Sequence, residues 1–107
     1  MMFADMHVKP LYEIKVVGSG YIAKLDDDVL VGSAENGIVE ITLPDVTLCK
    51  GKLLNIKDGY TKSGTTILPV LGQEIDTLPA LGLFMGQSCN IISDGYRWWL
   101  NAYSQAL

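Results

Sequence analysis

The residues best equipped for chemistry are the run Asp26-Asp27-Asp28, the thiols Cys49 and Cys89, the single imidazole His7, and the cluster Tyr96-Arg97-Trp98-Trp99. Three carboxylates suggest a divalent cation. A calcium loop, however, spaces its ligands on alternate residues, bends at a glycine and closes with a distant bidentate glutamate. Adjacent aspartates followed by Val29-Leu30-Val31 supply none of these, so a solvated turn is expected. Two cysteines and one histidine lack the paired spacing of a zinc site. Isolated buried thiols are the simpler expectation, ahead of a disulfide. Gly18-Ser19-Gly20 is too short to cradle a phosphate, and no Gly-Lys-Ser or Gly-Lys-Thr follows it. No nucleophile, base and orienting group can be assembled from these residues. The sequence therefore assigns no catalytic residue, no metal and no cofactor, and the expectation is a protein that is not an enzyme.

The aromatic cluster is more informative. Asp94-Gly95 reads as a hairpin turn, so residues 96–102 form its outgoing arm. Adjacent strand residues point to opposite faces. Trp98, Leu100 and Ala102 then share one face, with Trp98 and Leu100 as core residues. Arg97, Trp99 and Asn101 share the other. An outward Trp beside Arg suits either an interface anchor or a platform on which a sugar ring stacks. Tyr60, Tyr96, Arg97 and Trp99 are the ligand-contact candidates on the second reading.

These residues must be positioned by short β-branched runs separated by Gly, Asp, Asn and Pro. Strands are expected at residues 11–17, 21–25, 29–31, 38–43, 53–57, 65–70, 73–75, 88–92 and 97–102. In the fourth, Val39, Ile41 and Leu43 alternate with Glu40 and Thr42; in the fifth, Leu54 and Ile56 alternate with Asn55 and Lys57. Period-two alternation marks a half-buried strand, which assigns Val39, Ile41, Leu43, Leu54 and Ile56 to the core. Asn36-Gly37 suits a hairpin turn, and residues 45–50 have room for one helical turn. Turn signals at roughly ten-residue intervals indicate an all-β fold of short antiparallel strands, as a sandwich, barrel or prism. Residues 1–10 are expected as an N-terminal extension and residues 11–107 as one domain. The echo LPVLG at 68–72 and LPALG at 78–82 supplies only two units where a solenoid needs about three. It is expected to mark two similar corners, with Pro69 and Pro79 at strand edges or ends.

The chain has 107 residues, 49% of them hydrophobic and 19% charged, with a formal net charge of −4. A body this small has a high surface-to-volume ratio, so such low charge implies apolar surface that something covers. A second copy is favoured over a ligand. No basic stripe is present to neutralise phosphates, which argues against nucleic acid. No apolar run approaches the ~20 residues of a membrane-spanning helix, and no secretory signal is apparent.

The order of signals resembles a small β module of bacteriophage tail fibres, tailspikes and related virion proteins. The matching pieces are DDDVLV at 26–31, ITLP at 41–44, GKLLNIKDG at 51–59, GQEID at 72–76 and ISDGYRWWL at 92–100. The resemblance spans roughly residues 21–102. It implies a non-enzymatic structural protein of fibre, spike or decoration type, forming a homotrimer. It also implies a virion location after assembly in the host cytoplasm, other virion proteins as neighbours, and contact with a host-surface glycan. Trp98 falls where such modules place a Trp after the last turn. Two departures are evident: residues 77–87 (TLPALGLFMGQ) are more apolar than the usual linker, and Trp99 replaces a Tyr or an Ile-like residue. Both add apolar surface, which makes Leu81, Phe84, Met85 and Trp99 the interface candidates. The chain is expected to be either a small whole virion protein or part of a longer fibre. The alternatives are a small glycan-binding module using exposed aromatic residues, and a cellular β domain of unrelated role.

Overall fold

The computed structural model describes residues 11–34 and 37–104. The expected extension 1–10 with His7, Asn36 of the expected hairpin turn, and residues 105–107 lie outside the described residues. The described chain forms nine strands: β1 Ile14–Val17, β2 Tyr21–Ile22, β3 Val29–Gly32, β4 Val39–Thr42, β5 Leu53–Asp58, β6 Thr65–Leu68, β7 Leu81–Leu83, β8 Ser88–Ser93 and β9 Trp98–Ser104. A single 3-10 turn, Val46–Leu48, lies within the 45–50 segment, where Asp45 accepts from the Thr47 amide.

The strands make two sheets, ordered β1-β3-β5-β8-β9 and β2-β4-β6-β7. Up to β6 the chain changes sheet after every strand, so neighbours within a sheet run the same way. β1–β3, β3–β5, β2–β4 and β4–β6 are parallel; only β5–β8, β6–β7 and β8–β9 are antiparallel. The fold is all-β as expected, but the sheets are mixed where antiparallel pairing was expected. The glycine turns explain the difference: most are corners between sheets. At Gly18-Ser19-Gly20 the chain leaves β1, and the Gly20 amide (φ +90°) already donates to Glu40 O of the other sheet at 2.8 Å. Three coils result, β1–β2, β3–β4 and β5–β6. They do not coincide with the LPVLG echo, which falls at the end of β6 and the start of β7.

Several elements differ from expectation: β1, β2 and β6 are shorter than the expected 11–17, 21–25 and 65–70. Residues 73–75 form no strand; Ile75 makes only isolated bridges to Leu78 and Trp98. β7 arises instead inside the apolar 77–87 segment. In β9, a bulge opposite Asn90 and Ile91 makes Ala102 pair with Asn90 while Leu100 pairs with Ile91. The extra residue reverses the alternation, so Ala102 leaves the Trp98–Leu100 face and is exposed.

The core lies between the sheets. Val39, Ile41 and Leu43 from one side meet Leu30, Leu54, Ile56, Ile91 and Trp98 from the other, all fully buried. Leu100 is partly buried against them. The sheets approach closely at Gly32, where a Cβ would lie 2.4 Å from Thr65 Oγ1. Cys49 and Cys89 are free, buried thiols.

Candidate functional site

The acidic run is not the solvated turn its composition suggests. Asp26 is exposed, but Asp27 is 1% exposed and Asp28 partly buried. One Asp27 oxygen accepts from Lys15 Nζ at 2.7 Å; the other accepts from Tyr21 OH and the Lys24 amide, both at 2.8 Å. Lys52 Nζ donates to the Asp27 carbonyl and stands 4.0 Å from Asp28. Burial opposes ionisation of Asp27, yet the bonds from Lys15, Lys24 and Tyr21 outweigh it and lower the carboxyl's pKa. The Asp27 bond in turn raises Lys15. This ion pair sits where β1 and β2 close the first coil. Its work is structural, and among the described residues no cluster of His, Cys, Asp or Glu is arranged to hold a metal.

A second buried carboxylate organises the opposite end. Asp58, fully buried, accepts from Thr61 Oγ1 at 2.7 Å, Thr65 Oγ1 at 2.8 Å and the Gly86 amide at 3.3 Å. Burial would raise its pKa, but these bonds hold it below the ordinary value. Asp58 thereby ties the loop after β5 to the loop before β8. Those loops present Tyr60, Phe84 and Met85, which are 65%, 52% and 78% exposed. Tyr60 and Met85 have positive φ, 59° and 54°. Such backbone costs energy in residues other than glycine, and the Asp58 bonds hold it in place.

The tandem tryptophans divide as strand geometry requires. Trp98 is fully buried, and its indole N–H has no partner among the described residues. Trp99 is 43% exposed on the outer face of the five-stranded sheet. Its Nε1 donates to Asp94 Oδ2 at 2.7 Å, while the Arg97 guanidinium lies 5.4 Å from the ring centroid. Asp94 Oδ1 also accepts from the Tyr96 and Arg97 amides. Led by the Trp99 bond, these donors hold the Asp94 carboxyl at about 2. Arg97 is anchored further by Asp76 O at 2.9 Å and Glu74 at 3.5 Å. The turn thus fixes the Trp99 indole before any partner arrives.

Of the ligand-contact candidates, Tyr96, Arg97 and Trp99 come together. Tyr60 does not: it lies beyond the far end of β5, against Lys57 and Gly86. The interface candidates also separate. Leu81 is partly buried against the core, whereas Phe84 folds over Gly64 and Gly82 beside β7. Trp99 pairs with Ile92, near the other end of β8 from the 84–87 loop. At about 3.3 Å per residue, the four steps from Ser88 to Ile92 set the two groups some 13 Å apart along the strand.

One feature escapes sequence reasoning. A groove of about 480 Å³ runs over the outer face of the five-stranded sheet, lined by Tyr12, Asp28, Val29, Gly51, Lys52, Leu53, Asn55 and Asn90. Asn55 and Asn90 lie 35 residues apart and become neighbours only when β5 pairs with β8. The available signal was the outward polar position of Asn55 in the β5 alternation. Trp99 does not line the groove; it stands two strands from Leu53, across Ile92 in one cross-strand row. Comparison with family models, curated proteins and solved structures gives no match for this chain.

Proposed function

We propose that the chain is a non-enzymatic structural module of a virus particle, of tail-fibre, spike or decoration type, that works as a homotrimer. The observation that carries this is the amount of exposed apolar surface at both edges of the fold: Leu11, Ile14, Val16 and Ile22 at one edge are 64–85% exposed, and Leu78, Phe84, Met85 and Trp99 around β7 and β9 are 43–78% exposed. β1 and β9 are the terminal strands of one sheet, and β2 and β7 those of the other. Terminal strands also present unpaired backbone groups that invite another chain. An interface of about 800 Å² per partner, formed through β7 and β9, would cover Phe84 and Met85. The low proportion of charge supports the same reading, as does the resemblance of residues 21–102 to tail-fibre modules. Light scattering tests it: a trimer gives three times the chain mass of 11.7 kDa, and Phe84→Ser combined with Met85→Ser reduces that mass.

A second reading, a glycan-binding module, is favoured by the prearranged Trp99. An indole fixed by Asp94, with Tyr96 exposed beside it, can receive a sugar ring without first losing side-chain freedom. In a fibre the two roles are compatible. Quenching of tryptophan fluorescence during saccharide titration tests the second reading, and Trp99→Ala abolishes the response.

A further inference from the structure

We infer that the groove on the outer face of the five-stranded sheet is a binding site for a neutral saccharide, with Asn55 and Asn90 as its central hydrogen-bonding pair. The inference shares its ligand class with the glycan reading above but assigns a different site, and it does not require association of the chain. Asn55 Nδ2 donates to Asn90 Oδ1 at 2.7 Å and to the Cys89 carbonyl at 3.2 Å. The backbone carbonyl can only accept, which fixes the Asn55 amide's orientation and, through it, that of Asn90. Asn55 Oδ1 and Asn90 Nδ2 are left over. Neither has a partner among the described residues, so one strong acceptor and one strong donor remain side by side on paired strands.

A sugar hydroxyl both donates and accepts, so a pair of neighbouring hydroxyls satisfies both amides at once. Tyr12 and Leu53, 53% and 49% exposed, provide apolar surface for the C–H face of a pyranose. The volume of about 480 Å³ lies in the usual range for small-ligand sites, roughly 300–1,000 Å³. Charge selects the class. Lys52 is the cation lining the groove, and it is already engaged by the Asp27 carbonyl and by Asp28 at 4.0 Å. With that pair internally compensated, an anionic ligand gains little, and a neutral one leaves nothing uncompensated.

The test is a titration of the full chain with neutral oligosaccharides of glucose, galactose and N-acetylglucosamine, followed by the side-chain amide resonances in a nitrogen–proton correlation spectrum. The expected result is saturable movement of the Asn90 and Asn55 side-chain amide signals with at least one of them. Asn55→Leu and Asn90→Leu, both at partly exposed positions, then weaken binding by about tenfold or more, while the backbone spectrum and the mass stay unchanged. Trp99→Ala separates the two sites. If binding survives both asparagine changes and is lost only with Trp99→Ala, the groove assignment is overturned and the Trp99 site stands. No movement with any of these sugars at millimolar concentration overturns the inference outright, as does saturation of the same signals by an extended peptide alone. Neither result affects the trimer mass, which is read separately.

Discussion

At the scale of single residues, the most consequential groups are three carboxylates whose donors hold them ionised. Asp27, Asp58 and Asp94 all have folded pKa values below the unfolded one. A depressed carboxyl contributes stability that is present above the unfolded value, near 4, and is lost as pH falls through the folded value. With Asp94 at about 2, the melting temperature is expected to fall steadily between pH 4 and 2. Trp99 fluorescence should change in the same window as its bond to Asp94 is lost. Lys15 carries the opposite sign: its raised pKa means its contribution is complete below about 10.5 and disappears only as pH climbs beyond that. Asp27→Ala removes the acceptor of three donors and is expected to cost about 2 kcal/mol in chemical denaturation. It falls short of a fully buried pair because the Lys15 side chain keeps 31% of its surface in water. Trp98→Phe tests the unpartnered indole N–H: relief of that buried donor offsets lost volume, and the change costs about 1 kcal/mol, well under the 3–5 of a full truncation to alanine. Burial pushes the Cys89 thiol up to about 12, and it should react with iodoacetamide only after unfolding.

At the scale of elements, alternation and turn residues made most of the strands legible. Val39, Ile41, Leu54 and Ile56 could be placed on inward faces because period two survives whatever the pairing. Strand direction was not legible, because the same Gly-rich punctuation serves a hairpin and a corner between sheets. A repeat would have betrayed the coils, but the steps are unequal: Ile14 pairs with Val29, and Val29 with Asn55, steps of 15 and then 26 residues. The burial of Asp27 is not legible in the sequence for a related reason, since Lys15 and Tyr21 reach it only after the first coil closes. In β9 a single bulged residue moved Ala102 to the opposite face, and no local signal announced it. The close approach of the sheets at Gly32 yields a prediction. Gly32→Ala places a methyl against Thr65, whose hydroxyl is bonded to Asp58 at 2.8 Å. Overpacking there should cost about 2 kcal/mol, with Thr65→Ser in the same chain recovering part of it.

At the scale of the molecule, both edges of the fold expose apolar side chains. The first coil carries the Lys15–Asp27–Tyr21 group, with Asp27 buried and the Lys15 side chain 31% exposed, and its edge also exposes Leu11, Ile14, Val16 and Ile22. The other side ends in β7 and β9, with Phe84, Met85, Leu78 and Trp99 exposed around them. The proposed self-association through β7 and β9 would leave the groove at Asn55 and Asn90 open. Of the site, sequence alone could supply Trp99, Arg97 and Tyr96, which are close in the chain; the Asn55–Asn90 pair depended on folding. The measurement that bears most directly on the account is light scattering behind size exclusion, from micromolar to millimolar concentration. A constant mass near three times 11.7 kDa is predicted, falling when Phe84 and Met85 are both changed to Ser. A folded species holding at 11.7 kDa throughout would contradict it.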